Sequence, residues 1–511
     1  MNKMSKYYFD KKILKNHIVL ISLFSILGLI IRLHYLPFDV PITLDGEGYF
    51  WYAYDMKILG EFPDSHKFPN NLWPSILSIF FNFTNSENFL DYMNMQRVIS
   101  SIISSLTIFP VYFLAKKFLN HKYSLFASIL FLFEPRLIIN STLGITESLY
   151  LFLIILSISM ILSNNKKMVY TSFATGALAS LTRYEGLLIL IPLTIIFILK
   201  YKKESKIILK YLIVFTIFII VLFPMISIRV ENTGRDGLTS HLIIGPRNVN
   251  EVIINEYDSN ILNSIYETLK QFLMFIFWIS FPIFFIFLPL GILNYLKDFK
   301  REKKFLLLFC FVLIIPSLYA FLRNFDDTRY LFSIFPLFAI ISGYSFEKIE
   351  TRFKKKLLIS LLFIIFISSI MFLEVYSEDA HSQIEHFIIA KKITELTNIS
   401  NEFYPESKYI SSAYINKNFP IQKLELQEKH IFLPLQNEAT VIDYIKNNQM
   451  NGLKFIIVDE NSNKRSENEK IFYLVYENEN QFPFLKKVFD SKDIGLEFHV
   501  KIFEILYEKI N

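Results

Sequence analysis

Long apolar runs recur through most of this chain, and they constrain its fold more than any other feature. A hydrocarbon core about 30 Å thick needs roughly 20 mainly apolar residues for each helical span. Of the 511 residues, 52% are hydrophobic and only 20% are charged, a balance far from that of a water-soluble enzyme. We therefore expect an α-helical, multi-pass membrane protein with about eleven transmembrane helices.

The charges between the apolar runs predict how the chain is oriented. The predicted spans are approximately 17–36, 98–115, 123–139, 147–162, 169–182, 186–199, 207–229, 270–295, 305–322, 331–346 and 357–375. Lysine and arginine accumulate in short cytoplasmic loops, and here they precede the first span or follow even-numbered spans, as Lys166 and Lys303 do. The amino terminus is therefore expected in the cytoplasm and the carboxyl terminus outside it. These loops account for the net charge of +6, so we predict no nucleic-acid partner.

Two polar stretches predict structure outside the bilayer. Residues 37–97 form a long first outer loop within a membrane domain of residues 1–375, and residues 376–511 form a small extracytoplasmic α/β domain. In that domain strands are predicted at 407–414, 453–459 and 496–505, and helices at 438–447 and 482–489. In the outer loop, residues 47–56 predict a short surface helix, and a second is expected after Pro74. The aromatic residues of segment 47–56 are typical of membrane-interface anchors: Tyr49, Trp51, Tyr52 and Tyr54.

Four polar clusters fall on the same predicted outer face. They are Asp45-Gly46-Glu47, Glu134-Pro135-Arg136 with Thr146-Glu147, Thr182-Arg183-Tyr184-Glu185, and Arg323 through Tyr330. Ionisable residues near a membrane boundary cost energy unless they are paired or solvated, so their joint placement predicts one shared cavity. A carboxylate can remove the proton of an attacking hydroxyl, and guanidiniums can neutralise a departing phosphate. This combination favours sugar transfer from a lipid phosphate.

Each cluster also has a purely structural interpretation. Asp45 is a favoured helix-capping residue, and Glu47 would complement a helix dipole. Arg183 and Arg329 would form surface ion pairs of little energetic worth with neighbouring acids. Those acids are Glu185, Asp326 and Asp327. The shared placement of the clusters, more than any single residue, favours the functional interpretation.

The order of these motifs resembles the GT-C superfamily of glycosyltransferases. The motifs are Leu44-Asp45-Gly46-Glu47-Gly48-Tyr49, Pro69 and Pro74, Thr146-Glu147, Arg183-Tyr184-Glu185-Gly186, and Thr328-Arg329-Tyr330 followed by Pro336. Together with the outer α/β domain, this layout covers nearly the whole chain. It looks most like the dolichyl-phosphate-mannose protein mannosyltransferases and the lipid A aminoarabinose transferases.

This resemblance implies an inverting transferase that uses a sugar linked to polyprenyl or dolichyl phosphate. Asp45 then corresponds to the catalytic base and Glu47 to its acidic companion, although Gly46 separates two acids that are adjacent in the protein mannosyltransferases. The residues expected to contact the donor phosphate or substrate are Arg183, Arg329, Glu147 and Tyr330. The resemblance fixes no metal, but Asp45 and Glu47 are candidates to share a divalent ion.

The expected acceptor is a hydroxyl of a lipid-linked glycan, a polysaccharide precursor or a protein. A transporter or flippase of lipid-linked sugars is the alternative from another class, but transporters usually carry repeats and charges near the bilayer midplane. A non-catalytic scaffold is a third possibility, which the Asp45 motif argues against. The Trp-Trp-Asp-x-Gly motif of oligosaccharyltransferase subunits is absent, since tryptophan occurs only at Trp51, Trp73 and Trp278. Oligosaccharide transfer to asparagine is therefore not expected.

Overall fold

The computed structural model describes most of the chain as helix. The residues described are 3–42, 45–63, 71–86, 88–234, 236, 238, 261–297, 301–352, 355–398, 439–451, 453–460 and 470–510. They divide into two compact units, one of residues 1–36 with 48–375 and the other of residues 37–47 with 376–511.

The described helices up to residue 398 follow the apolar runs. They are α1 (Lys3–His34), α2 (Asp45–Leu59), α3 (Leu72–Phe81), α4 (Phe89–Leu106), α5 (Ile108–Ala115), α6 (His121–Leu132), α7 (Pro135–Thr142), α8 (Glu147–Ile161), α9 (Lys166–Thr182), α10 (Leu190–Tyr201), α11 (Ile207–Thr233), α12 (Ile261–Ser280), α13 (Phe284–Lys297), α14 (Arg301–Leu322), α15 (Phe335–Arg352) and α16 (Lys355–Asn398). Two 3-10 helices, Tyr184–Ile189 and Thr328–Ile334, precede α10 and α15.

Several of these helices are long and apolar enough to cross a membrane. In the described chain six segments meet that condition, and up to eight do if each of two bent helix pairs is one span. The six are Asn16–His34, Phe89–Ala115, Tyr184–Tyr201, Ile207–Asn232, Lys303–Leu322 and Thr328–Thr351. Three shorter apolar helices are Leu72–Phe81, Glu147–Ile161 and Ser360–Val375. The chain is thus a multi-pass membrane protein, while the count of eleven spans stays a prediction.

The span predicted at 270–295 is not one continuous helix. It divides into α12 and α13, which are bent by 108°. Pro282 lies between them and has no amide hydrogen to continue the helical ladder. The carbonyls of Trp278 and Phe281 at this break accept hydrogen bonds from the Arg136 guanidinium, at 2.9 and 2.5 Å. Arg136 therefore satisfies carbonyls that a broken helix leaves without partners.

A second break separates α6 from α7, which are bent by 50°. Pro135 begins α7, and Glu134 immediately before it is buried and lies 3.2 Å from Arg136. The Glu134-Pro135-Arg136 cluster thus joins two helix breaks. Neither charged residue of this cluster lines the pocket that contains Glu147 and Arg183, so the expectation of one cavity shared by all four clusters was wrong for this pair.

The part of the outer loop from Gly48 onward belongs to the first unit. The predicted surface helix is α2, and α3 begins at Leu72, two residues before Pro74. The Trp73 indole and the Gln96 amide both donate to the carbonyl of Gly144, at 2.9 and 2.8 Å. Gly144 has a φ of +70°, which favours glycine. These contacts fix the turn that leads into Thr146 and Glu147.

Two of the aromatic residues predicted as interface anchors are instead buried. Tyr49 and Tyr52 are only 6% and 2% exposed. The Tyr52 hydroxyl is hydrogen-bonded to Arg229, and desolvation of this phenol raises its pKa. Tyrosine is favoured both at membrane interfaces and in pockets where its hydroxyl finds a partner, so composition alone does not separate these environments.

The second unit contains a three-stranded antiparallel sheet. Its elements are β1 (Phe455–Asp459), β2 (Leu485–Asp490), β3 (Val500–Ile505), α17 (Val441–Asn448) and α18 (Lys470–Glu477). The strand order is β1-β3-β2. The strands predicted at 453–459 and 496–505 are confirmed with shifted starts, and the helix predicted at 438–447 is α17. The strand predicted at 407–414 lies outside the described residues.

The helix predicted at 482–489 was wrong, because this segment forms β2. It pairs with β3, and the register shifts between Lys487 and Phe489 at an irregularity typical of a β-bulge. Leu485 and Phe489 are buried, whereas Lys486 and Lys487 are exposed. A short apolar segment of this kind does not distinguish helix from strand by periodicity. Pairing with a distant strand decides the outcome.

Candidate active site

Arg183 lies where two helices of the first unit meet. It directly follows the last residue of α9 in an extended conformation, and its amide still donates to the carbonyl of Ala179 at 2.9 Å. One guanidinium nitrogen is 2.5 Å from Glu147 and the other is 3.1 Å from Glu185. The three side chains are only 17%, 6% and 10% exposed. The interpretation of Arg183 with Glu185 as a surface pair was therefore wrong.

The charges around Arg183 determine its protonation. Burial by itself would lower the pKa of the guanidinium, but the carboxylates of Glu185 and Glu147 hold the pKa well above its usual value. Arg183 is therefore a fixed positive charge. One oxygen of Glu185, Oε2, is buried without a hydrogen-bond partner among the described residues. Since buried polar atoms are nearly always hydrogen-bonded, a water or a substrate hydroxyl is the fitting donor for this oxygen.

Arg329 approaches Glu147 from another element. It lies in the 3-10 helix Thr328–Ile334, whose start is capped by Asp327, the acceptor for the Arg329 amide at 2.8 Å. The guanidinium is 2.5 Å from a carboxylate oxygen of Asp327 and 3.9 Å from Glu147. The side chain of Arg329 is 30% exposed, more than that of Arg183. Glu147 therefore lies between two guanidiniums, of which Arg329 is the more accessible.

These residues line one small pocket. Its volume is about 20 Å³, enough for roughly one water molecule. The pocket is lined by Glu147, Tyr150, Leu151, Arg183, Glu185, Pro316, Arg329, Tyr330, Phe332 and Ser333. The Arg183 guanidinium is 6.0 Å from the ring centres of both Tyr150 and Tyr330, within the range of a cation–π contact. The structure therefore brings together all four residues predicted to contact the donor or substrate.

Sequence reasoning missed Tyr150, whose ring lies beside Arg183 in the pocket. It lies three positions after Glu147 on α8, and residues three apart on a helix share a face. That spacing was the signal that would have found it. Glu185 and Asp327 were considered only as partners for arginine, yet each determines the position of a guanidinium in this pocket.

Asp45 and Glu47 occupy the first turn of α2. Asp45 is exposed, whereas Glu47 is 8% exposed. Residues two apart on a helix point about 200° apart, so this geometry does not favour a divalent ion held by both carboxylates. Among the described residues, no three histidine, cysteine or acidic side chains are grouped as a metal site. Metal use therefore stays a prediction, and neither carboxylate lines the pocket around Glu147.

The chemistry of the pocket follows from its charges. Two guanidiniums face three carboxylates, those of Glu147, Glu185 and Asp327. A phosphate can enter this set only by competing with a carboxylate for a guanidinium. Arg329 is the more suitable partner, because its side chain is 30% exposed, against 17% for Arg183. Because the pocket has room for about one water molecule, a phosphate would have to bind at the more exposed guanidinium of Arg329.

Comparisons with known proteins concern the family and the fold of the chain. Residues 89–228 match the family model described as dolichyl-phosphate-mannose-protein mannosyltransferase. No curated protein matches the chain significantly in sequence. This family match includes Glu147 and Arg183 but ends before Arg329.

Solved structures extend the similarity to most of the chain. ArnT from Cupriavidus metallidurans bound to undecaprenyl phosphate matches with a TM-score of 0.55 and 11% identity, over 95% of this chain and 98% of that one. Oligosaccharyltransferase AglB from Archaeoglobus fulgidus, in complex with an inhibitory peptide and a dolichol-phosphate, matches with a TM-score of 0.51 and 11% identity. That match covers 92% of this chain and 72% of AglB. The chain therefore has the fold of the GT-C glycosyltransferases, and the resemblance predicted from its sequence is confirmed.

Proposed function

We propose that this protein is an inverting membrane glycosyltransferase. It moves one sugar from a polyprenyl- or dolichyl-phosphate donor to a hydroxyl of a lipid-linked glycan, a polysaccharide precursor or a protein on the outer membrane face. The main support is the position of Glu147 between Arg183 and Arg329, in a fold shared with an ArnT structure that contains undecaprenyl phosphate. The comparisons give no support to a transporter or flippase.

In this proposal Asp45 is the catalytic base. Its carboxylate removes the proton from the acceptor hydroxyl as the hydroxyl oxygen attacks the anomeric carbon of the donor sugar. The bond from that carbon to the phosphate oxygen breaks, and the lipid phosphate leaves with the bonding electrons. Glu47, the acidic companion, is buried in the first turn of α2, where a carboxylate is favoured by the helix dipole.

Arg329 neutralises the departing phosphate, and Arg183 keeps the pocket in place. The guanidinium of Arg329 suits the neutralising role because a guanidinium has a fixed charge and can form two parallel hydrogen bonds to phosphate oxygens. Glu147 orients both arginines, and Tyr330 lies beside Arg183 on the pocket wall. Tyr49, one helical turn after Asp45 on α2, makes a small contribution to the raised pKa of Arg183.

The substitution Asp45→Asn tests the proposal. Asparagine keeps the size of the side chain and supports a helix start about as well as aspartate, but it is not a useful proton acceptor. Sugar transfer from a polyprenyl-phosphate donor by the purified protein is expected to fall by about 10²-fold or more, while membrane insertion and thermal stability persist.

Asp55→Asn is the matched control, because it removes the same charge from the same helix, two to three turns further on. Its transfer rate is expected to stay near that of the parent. Parental activity in Asp45→Asn would exclude Asp45 as the base, and equal losses in both variants would assign the effect to the charge of α2 as a whole.

A further inference from the structure

A larger cavity lies at the opposite ends of the helices that carry the candidate active site. Helix α8 begins at Glu147 and ends at Ile161, so its 15 residues span about 22 Å. Helix α10 likewise leads from the Arg183 segment to Tyr201. The cavity at these far ends has a volume of about 520 Å³, within the range of pockets that bind small molecules.

The described lining of this cavity is basic. Lys116 and Lys117 follow α5, and Lys200 comes from the last turn of α10. Among the described lining residues none is acidic. The general excess of lysine in cytoplasmic loops explains why lysines occur at this end. It does not explain why two lysines after α5 and one on α10 line the same cavity.

Lys200 is held in place by the end of α8. Its ammonium donates to the carbonyl of Ser163 and, at 3.3 Å, to the carbonyl of Ile161. A cation at a helix carboxyl terminus is favoured by the dipole and satisfies carbonyls that lack helical partners. The amine is therefore positioned at the cavity without a carboxylate among the described lining residues to neutralise it.

The remaining wall is apolar. Phe118, Ile196 and Leu199 line the cavity beside the lysines, and Leu199 is 37% exposed on the apolar helix α10. A basic rim above an apolar wall matches a molecule with a phosphate at one end and hydrocarbon at the other. A soluble phosphate would contact the lysines but leave the apolar wall uncovered, which favours a lipid.

We propose that this cavity binds the phosphate headgroup of an anionic membrane lipid, at the end of the helical bundle opposite to the candidate active site. On the predicted topology this end faces the cytoplasm, where anionic lipids attract basic segments. The occupant contacts Lys116, Lys117 and Lys200 through its phosphate and Leu199 through its hydrocarbon.

Native mass spectrometry of the purified full-length protein tests this proposal, with phosphatidylglycerol, phosphatidylcholine and inorganic phosphate as separate probes. Each lysine near a lipid phosphate contributes about fivefold in affinity. The double variant Lys116→Gln with Lys117→Gln is therefore expected to bind phosphatidylglycerol about 25-fold more weakly than the parent. Phosphatidylcholine binding is expected to change little.

Lys202→Gln with Lys203→Gln is the matched control, because it removes two exposed lysines of the same end that do not line the cavity. This control is expected to bind phosphatidylglycerol as the parent does. A second variant, Leu199→Trp, keeps every lysine and fills part of the cavity, so it is also expected to weaken binding.

Three results would overturn the proposal. One is parental phosphatidylglycerol binding in the Lys116 and Lys117 double variant. Another is an equal loss in the Lys202 and Lys203 control, which would assign the effect to surface charge in general. The third is a preference for inorganic phosphate over lipid together with no effect of Leu199→Trp, which would identify a soluble anion as the ligand.

Discussion

The two arginines of the candidate active site have different surroundings, and this difference assigns them different roles. Arg183 is buried between Glu147 and Glu185, so its removal would leave Glu185 without its cation and Glu147 with only Arg329, at 3.9 Å. Breaking a buried pair in this way typically costs about 3–5 kcal/mol. Arg329 is more exposed and its close partner is Asp327. Arg183 therefore holds the pocket together, and Arg329 is the more exposed of the two guanidiniums.

Removing the charge of Arg329 is expected to weaken donor binding, whereas removing the charge of its partner Asp327 is expected to strengthen it. Arg329→Ala removes a charge-assisted contact worth about 1.5–3 kcal/mol, so the KM for the polyprenyl-phosphate donor should rise at least tenfold. Asp327→Asn can still accept the Arg329 amide hydrogen as a cap, but it no longer neutralises the guanidinium. The donor KM should therefore fall several-fold, as measured by steady-state kinetics.

Arg323→Ala is the control for this pair. Arg323 lies in the same stretch and packs against the rings of Tyr319 and Phe325, but it does not line the pocket. Its donor KM should stay close to the parental value. A higher KM in Asp327→Asn, or equal effects in Arg329→Ala and Arg323→Ala, would contradict the assignment of Arg329 to the donor phosphate.

At the scale of elements, the 3-10 helix Tyr184–Ile189 determines where Arg183 and Glu185 point. It packs so closely on α9 that a Cβ added to Gly186 would lie 2.7 Å from the backbone of Ala179 and Ser180. Only glycine, which has no Cβ, allows the two backbones to lie this close. The short distance between the two backbones fixes the turn after α9 and thereby the spacing of the guanidinium from Glu147.

Gly186→Ala is expected to lower both stability and activity. Backbone atoms move less easily than side-chain ends, so overpacking here should cost about 1–3 kcal/mol and shift Arg183. The checks are the melting temperature and the rate of sugar transfer. Gly176→Ala on α9 is the control, since its added Cβ would meet only side-chain atoms at 3.1 Å or more. Parental behaviour of Gly186→Ala would show that this close packing does not position the pocket.

At the scale of the whole molecule, the ends of the helices differ in charge. The Glu147 pocket holds carboxylates paired with guanidiniums, whereas the far end of α8 and α10 presents lysines. Lysine-rich ends remain in the cytoplasm during insertion. The predicted topology, in which the Glu147 pocket faces the outside, rests on these lysines and stays a prediction.

Topology reporters test this orientation. A reporter fused at the carboxyl terminus is expected to be extracytoplasmic, while reporters fused after Lys166 or Lys303 are expected in the cytoplasm. The readout is the activity of paired enzymes that function on only one side of the membrane. A cytoplasmic carboxyl terminus would contradict the orientation and place the charged clusters on the other face.

The sequence by itself predicted a helical membrane protein and the motifs that contain the residues of the Glu147 pocket. Helical hydrogen bonds join residues four apart, so the length of an apolar run suffices to predict a helix such as α11 or α14. The resemblance to GT-C enzymes also rests on local motifs, two of which contain Arg183 and Arg329. Local sequence was sufficient wherever the deciding interactions were local.

Only the tertiary structure decided the features that depend on distant partners. Segment 485–490 is a strand because it pairs with β3, and Tyr52 is buried because Arg229 approaches its hydroxyl. The Glu134–Arg136 pair joins two helix breaks rather than lining the pocket, because the carbonyls of Trp278 and Phe281 need a donor. Such contacts join residues far apart in the chain, and no pattern within a single segment specifies them.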